Sequence, residues 1–273
     1  SWLAGRLLQP IRVLRDTARE ISSGSLDERL DVTGQDDLAD LQVTFNEMLD
    51  RLELAFASQR QMLDDAGHEL RTPLTVLQGH LEVMDAADPN DVAETRSLLL
   101  DEIARMSRLV NDLLLLAKSR RPDFVQPHPT DLGRLGEGIF SRCTALADRD
   151  WVANLQADAI AMLDEQRITQ AMLQLAENAV QHTAAGDTIT IGSTSTATEV
   201  EFWVSDSGAG VDPQIREQIF DRFATAGSPD GIGLGLAIIG AIAQAHCGTI
   251  SLDDAQAGSG ATFRLRLPLT QEA

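Results

Sequence analysis

HELRTPLT, residues 68–75, lies inside a pattern that settles the fold around it. Apolar residues recur through it as Leu70, Leu74, Leu77, Leu81 and Met84, in steps of four and three, the signature of a helix with one apolar stripe. Ala86-Ala87-Asp88-Pro89-Asn90 then breaks the pattern with turn chemistry. A return helix carries Leu99, Ile103, Met106, Val110, Leu113 and Ala117 in the same rhythm. Two such helices present a wider apolar face than one chain covers. A four-helix bundle made by two subunits would bury it.

Heptads also run upstream. Leu7, Ile11, Leu14, Ala18 and Ile21 form one seam, Gly24 stops it, and a short connector carries Leu26, Leu30 and Val32 in rough alternation. A second seam follows as Leu38, Leu41, Phe45, Met48 and Leu52, then Ala55, Gln59, Met62 and Ala66, leading directly to His68. Asp36 and Asp37 precede it, where acidic side chains favour a helix N-terminus. Seams of this period favour helices that pair in parallel.

Downstream, the return helix ends in SRRPDF, and Pro122, Pro127 and Pro129 mark a linker over 122–130. From about Asp131 the character changes to α/β. Residues 188–194 (TITIGST), 200–205 (VEFWVS), 249–252 and 261–267 alternate like strands, while 165–182 and 234–247 read as helices. Helices on one side of a mixed sheet make an α/β sandwich.

Composition narrows the function. A length of 273 residues with 43% hydrophobic content permits two or three modest domains with real cores. A net charge of -20 argues against a nucleic-acid binder, which needs a basic face. Cys143 and Cys247 stand far apart and fit neither a disulfide framework nor a metal spacing, which suits a reducing cytosol. No apolar run reaches the roughly 18 residues that a membrane span requires. The opening SWLAGRLLQP sets Trp2 near arginines as a membrane–water boundary does. The expectation is the cytoplasmic portion of a membrane protein whose transmembrane segment is absent from this chain.

A phosphoryl acceptor must offer an unprotonated nucleophile at neutral pH and face solvent. His68 is of that kind, because an imidazole is largely neutral at pH 7. Glu69 beside it can take the proton from one ring nitrogen and leave the other nitrogen's lone pair for attack. Thr72, one turn on, can position a water. Pro73 removes a backbone hydrogen bond and is expected to bend the helix beyond the reactive turn. A zinc reading of His-Glu as the start of HExxH fails, because position 72 is threonine.

DDAGHELRTPLT resembles the phosphoacceptor box of sensor histidine kinases, and the helix–connector–helix upstream, with Pro10 and its acidic pair, resembles a HAMP signalling module. The resemblance implies His68 as phosphoacceptor, Glu69 as base and Thr72 as the residue serving phosphatase activity. QAMLQLAENAVQHT, residues 170–183, looks like the family's N box, with Asn178 as the Mg²⁺ ligand; an amide oxygen suits that hard cation. Gln174 stands where related ATPases carry a water-activating glutamate, which favours transfer over hydrolysis. Gln181 replaces a common phosphate-binding lysine, and His182 a common aromatic. VSDSGAGVD (204–212) resembles the first glycine box, with Asp206 accepting the adenine amino hydrogen and Gly208 and Gly210 letting backbone close over the base. IFDRF (219–223) resembles the F box, which would offer Arg222 to the phosphates. ATAGSPD follows as a lid. GIGLGLAII, with Gly231, Gly233, Leu234 and Gly235, opens a helix at the phosphates. A dinucleotide-binding reading of that run fails at Leu236. GSGATF (258–263) looks like the last glycine box, with Thr262 near the base.

The expected organisation is therefore a parallel coiled-coil HAMP module over 1–54, a dimerisation and phosphotransfer hairpin over 55–121, the linker, and an ATP-binding α/β sandwich over 131–273. What the resemblance implies is a homodimeric kinase at the bacterial inner membrane, with ATP and Mg²⁺ as cofactors and a response-regulator receiver domain as partner. A hydrolysing ATPase and a nucleotide-binding scaffold without phosphotransfer are the rivals.

Overall fold

The protein is represented by a computed structural model that describes residues 29–32, 37–119, 121–224, 233–253 and 260–269. The seam from Leu7 to Ile21, Pro10, Gly24, Leu26, Asp36, the stretch 225–232 with Gly231, and residues 254–259 lie outside the described residues. The chain divides into two compact units, Ser1–Leu74 and Thr75–Ala273.

Helix α1, Asp37–Val83, dominates the first unit and continues through Pro73. A proline there has no N–H for the Glu69 carbonyl one turn back, yet the helix is not ended. The connector docks on α1 through Leu30, which is 4% exposed. Asn46 clasps its backbone: the Leu30 N–H donates to Asn46 Oδ1 at 2.9 Å, and Asn46 Nδ2 donates to the Leu30 carbonyl at 2.9 Å. Arg29 pairs with Asp50 at 2.7 Å and also with Glu53. The stripe of α1 buried in this unit is Ala39, Gln42 and Leu49. Leu41, Met48 and Leu52, members of the heptad seam, are left open. The connector therefore covers one face of α1 and leaves the seam to something else.

In the second unit, α2 (Pro89–Lys118) starts from an Asp88 cap whose carboxylate accepts the Asn90 N–H at 2.9 Å. This helix also has two faces. Leu109 and Leu116 are buried, whereas Ile103 and Val110 of the heptad stripe are exposed. Then come β1 (His128–Asp131), α3 (Leu132–Cys143), β2 (Asp150–Leu155), β3 (Ile160–Leu163), α4 (Glu165–Gln181), β4 (Thr188–Ser195) and β5 (Glu199–Asp206). A short 3₁₀ turn (Gln218–Phe220), α5 (Gly235–Ala245), β6 (Thr249–Leu252) and β7 (Thr262–Pro268) complete the unit.

The main sheet has the order β2-β4-β5-β7-β6, with β2 parallel to β4 and the remaining pairs antiparallel. Ile189, Ile191, Val200, Phe202, Val204, Phe263, Leu265 and Leu267 are buried on it, and α4 and α5 bring Ile168, Met172, Leu175, Ile238, Ile239 and Ile242 to the same core. This is the expected sandwich with a mixed sheet. On the outer face, Trp203 lies against Gly192, where an added Cβ would stand 1.9 Å from the indole. Arg264 covers that ring at 5.1 Å and pairs with Asp253 at 2.7 Å and Glu201 at 3.1 Å.

The stretch read as a linker is packed structure and requires a correction. Phe124 is buried under the Arg167 guanidinium at 4.5 Å, and β1 begins at His128 and pairs with β3. Asp164 ties it down: one carboxylate oxygen accepts the Gln126 N–H at 2.9 Å while the other caps α4 at Arg167 N, 3.1 Å. His246, from the end of α5, accepts the Asp164 N–H at 3.1 Å and bonds the Ile242 carbonyl at 2.8 Å. The prolines permit this path because β1 is an edge strand, where a missing N–H costs little.

Candidate functional site

Two places hold the residues that the sequence singles out. On α1, His68 and Thr72 are exposed and Glu69 is half-buried. Gly67, next to the histidine, has open space around it: an added Cβ would meet nothing within 4 Å. Pro73 is buried one residue beyond Thr72. His68 and Thr72 are four residues apart on a continuous helix and so share a face.

The second place is a cavity of about 780 Å³ in the Thr75–Ala273 unit. α4 contributes Gln174, Glu177, Asn178 and Gln181, with His182 at its end. The loop after β5 brings Gly210, Val211 and Asp212, and the start of α5 brings Gly233, Leu234 and Gly235. Asp206, the last residue of β5, reaches into it from the sheet.

Asp206 is 8% exposed, and burial raises its pKa above the ordinary carboxylate value; hydrogen bonds from Gly208 and Ala261 and the nearby His182 work against that rise. The Gly208 N–H donates to Asp206 Oδ1 at 2.9 Å and the Ala261 N–H at 3.3 Å. A buried acceptor with fixed orientation suits a ligand that offers an N–H, such as an amino-purine edge. Gly260 makes this corner possible: φ is +81, and an added Cβ would stand 1.7 Å from the Asp206 carbonyl.

The other end of the cavity is the N-terminus of α5. Its first N–H groups have no helical partners and carry the positive end of the helix dipole, a setting that favours an anion. Gly233 (φ +72) accepts a hydrogen bond from the Phe223 N–H at 2.8 Å and leaves no room for a side chain against Phe223. That bond joins the two ends of the 224–232 stretch. The Gln174 side chain packs 3.1 Å from the Cβ position of Gly235. Among the described residues no three His, Cys, Asp or Glu side chains converge on a metal site. A Mg²⁺ at Asn178 would therefore rely on phosphate and water oxygens for most of its shell, which that ion accepts.

Of the expected site residues, the cavity gathers Gln174, Asn178, Gln181, His182, Asp206, Gly210, Gly233, Leu234 and Gly235. Gly208 stands just behind, orienting Asp206, with His182 O 2.4 Å from its Cβ position. Two expectations are corrected. Thr262 does not face the cavity: strand alternation sends Ala261 and Phe263 inward, and the Thr262 hydroxyl bonds Ser205 Oγ at 2.7 Å. Arg222 lies in a separate hollow with Ser119, Phe220 and Gln244, because the 3₁₀ turn ends at an extended Asp221 that sends the next side chain away. Gly231 is outside the described residues.

The sequence reading did not anticipate α2. Asp101, Glu102, Arg105, Arg108 and Asp112 of that helix line the same cavity. Burial and the neighbouring Glu177 push the Asp112 carboxyl up to about 6, against the pull of Arg108. The only signal in the sequence is the polar stripe these residues form opposite the heptad.

Comparisons with known proteins identify the domains of the chain. Residues 2–54 match the HAMP domain, 58–122 the His Kinase A (phospho-acceptor) domain, and 163–271 the histidine kinase-, DNA gyrase B- and HSP90-like ATPase. The sensor histidine kinase TrcS of Mycobacterium tuberculosis is 33% identical over 99% of this chain, which spans 59% of TrcS. The sensor protein CutS of Streptomyces coelicolor is 33% identical over 98% of this chain and 67% of its own length. The structure of full-length ShkA in complex with AMPPNP shares 26% identity and a TM-score of 0.58, covering 78% of this chain and 47% of that one. Among the described residues no helix is long and apolar enough to cross a membrane. By its matched domains and its relatives, this chain belongs to the sensor histidine kinases.

Proposed function

We propose that this chain is the signalling core of a homodimeric, membrane-anchored kinase that phosphorylates His68 from ATP and passes the phosphoryl group to an aspartate of a response regulator. One observation carries the reading. An exposed histidine with an adjacent carboxylate lies in the phospho-acceptor match, and the same chain holds a cavity whose two ends suit adenine and phosphate. ShkA, a relative of similar fold, was crystallised with an ATP analogue, which supports adenine nucleotide as the ligand.

In this reading Asp206 accepts the adenine amino hydrogen, the α5 N-terminus receives the phosphates, and the Asn178 amide oxygen faces Mg²⁺. When bound, the metal neutralises charge on the transferring phosphoryl group. One imidazole nitrogen of His68 attacks the γ-phosphorus, a P–N bond forms, and the bond to the β–γ bridging oxygen breaks to release ADP. Glu69 takes the proton from the other ring nitrogen. The regulator's carboxylate then attacks the phosphohistidine, and the P–N bond breaks. Thr72, on the His68 face, orients the water that hydrolyses the regulator's aspartyl phosphate.

The open heptad residues support dimerisation. Leu41, Met48, Leu52, Leu74, Leu81, Ile103 and Val110 expose apolar surface along both helices, and stripes of this extent mark interaction faces. The HAMP match supports attachment to a membrane. Gln174, an amide where hydrolysis would need a base, favours transfer over the hydrolysing ATPase. Incubation with γ-labelled ATP and Mg²⁺ tests the reading: the protein should acquire acid-labile, alkali-stable label that His68→Gln abolishes. Label persisting in that variant would overturn it.

A further inference from the structure

The nucleotide cavity poses a charge problem. The ATP-binding fold lines it with Glu177, Asp206 and Asp212 and with the amides Gln174, Asn178 and Gln181. None of these is a cation, His182 is the one basic side chain the fold adds among the described residues, and residues 224–232, read as sequence, contain no lysine or arginine. A triphosphate carries about four negative charges, and bound Mg²⁺ cancels about half of them. Among the described lining residues, the arginines are Arg105 and Arg108, and both belong to α2.

They are held there by the face that docks α2. Arg105, Leu109, Asp112 and Leu116 follow one another in steps of four, three and four, so they form a single stripe, and Leu109 and Leu116 are buried in the contact. Arg105 is engaged by Glu102 on its own helix, at 2.9 Å. Arg108 is an exposed residue beside this stripe that lines the cavity, and its charge acts on Asp112. A guanidinium grips phosphate with two parallel hydrogen bonds, which an amide such as Gln181 cannot match.

We propose that Arg108, with Arg105 adding to the local positive field, is a phosphate-binding residue of the nucleotide site, so that the triphosphate is gripped between α2 and the ATP-binding fold of one chain. The proposal rests on the reading of this cavity as the ATP site. It makes nucleotide affinity depend on α2 being docked, and by reciprocity makes bound nucleotide hold α2 in place.

The test uses the full chain with Mg²⁺ and three probes, ATP, ADP and adenosine, titrated into the parent, Arg108→Ala, Arg108→Lys and Asp206→Asn. Loss of one exposed charged hydrogen bond is expected to weaken ATP by about fivefold in Arg108→Ala. ADP should weaken less, and adenosine should bind as in the parent, which also reports that the variant is folded. Arg108→Lys should recover part of the loss, since a point charge replaces a two-pronged grip. Parent-like or tighter ATP binding by Arg108→Ala overturns the proposal, as does an equal loss for adenosine. Asp206→Asn should weaken all three probes. If it weakens none, the nucleotide has been placed wrongly, and the proposal falls with that placement rather than by its own arm.

Discussion

Replacing His246 by phenylalanine should destabilise the ATP-binding fold and erase part of its pH dependence at once. The imidazole is 2% exposed and joins the end of α5 to the start of α4 through the Asp164 N–H. Phenylalanine keeps the ring and removes both nitrogens. The Ile242 carbonyl retains the His246 backbone N–H as a partner, but the buried Asp164 N–H is left with none. An unsatisfied buried donor costs roughly 1–3 kcal/mol. With a urea dependence of about 2 kcal/mol per molar, the midpoint should fall by about 1 M. Burial lowers the His246 pKa below its ordinary 6.5, against the opposing pull of the Ile242 bond and Asp164. The folded imidazole therefore stays neutral where the unfolded one takes up a proton. The unfolded state then binds more protons, and stability falls as pH drops below about 6.5. The assay is urea unfolding followed by tryptophan fluorescence, since Trp151 and Trp203 lie on β2 and β5, at pH 7.5 and 5.5. The parent should lose more stability between these pH values than His246→Phe does. An unchanged midpoint, or an identical pH slope in the variant, would refute the bridging role.

Thr72→Ala should leave His68 labelling mostly intact while slowing dephosphorylation of the regulator by on the order of 10²-fold, measured as loss of label from purified regulator; an equal drop in both rates would make Thr72 a helix-supporting residue. Asn178→Asp adds a charge beside an anionic ligand, so Mg²⁺-dependent labelling should fall sharply, and labelling at the parent's rate would remove Asn178 from the metal's shell. Gly260→Ala forces a Cβ into the Asp206 carbonyl at a positive φ, so a loss of roughly 1–3 kcal/mol in urea unfolding is expected together with weaker adenosine binding; a stable variant with parent affinity would show that this corner adapts.

The fold was legible where one physical period dominated. β4, β5 and β7 alternate because one face meets α4 and α5, and the observed bounds follow the alternation closely. β2 was not legible, because DWVANL is an edge strand exposed along most of its length. β1 and β3 are four residues each and form only by pairing across about 30 residues of chain, a contact that no local pattern announces. α3 has the stripe Leu132, Leu135, Ile139 and Cys143, but it is a single short helix among glycines and carries no motif. In the site, Asp206 from the first glycine box, Asn178 from the N box and the glycines at the α5 start come together around one cavity, since close backbone approach demands particular residue types. Thr262 and Arg222 lie away from it, turned by strand register and by one extended residue. The contribution of α2 was out of reach, because it depends on docking between elements some seventy residues apart.

The Asn46 clasp on Leu30 has a mechanical consequence. A carboxamide presents one donor and one acceptor, and here it answers both the N–H and the carbonyl of a single connector residue, as a neighbouring strand would. Displacement of Leu30 along the α1 axis must break both bonds together, so the clasp opposes sliding at this point as a two-pin joint does.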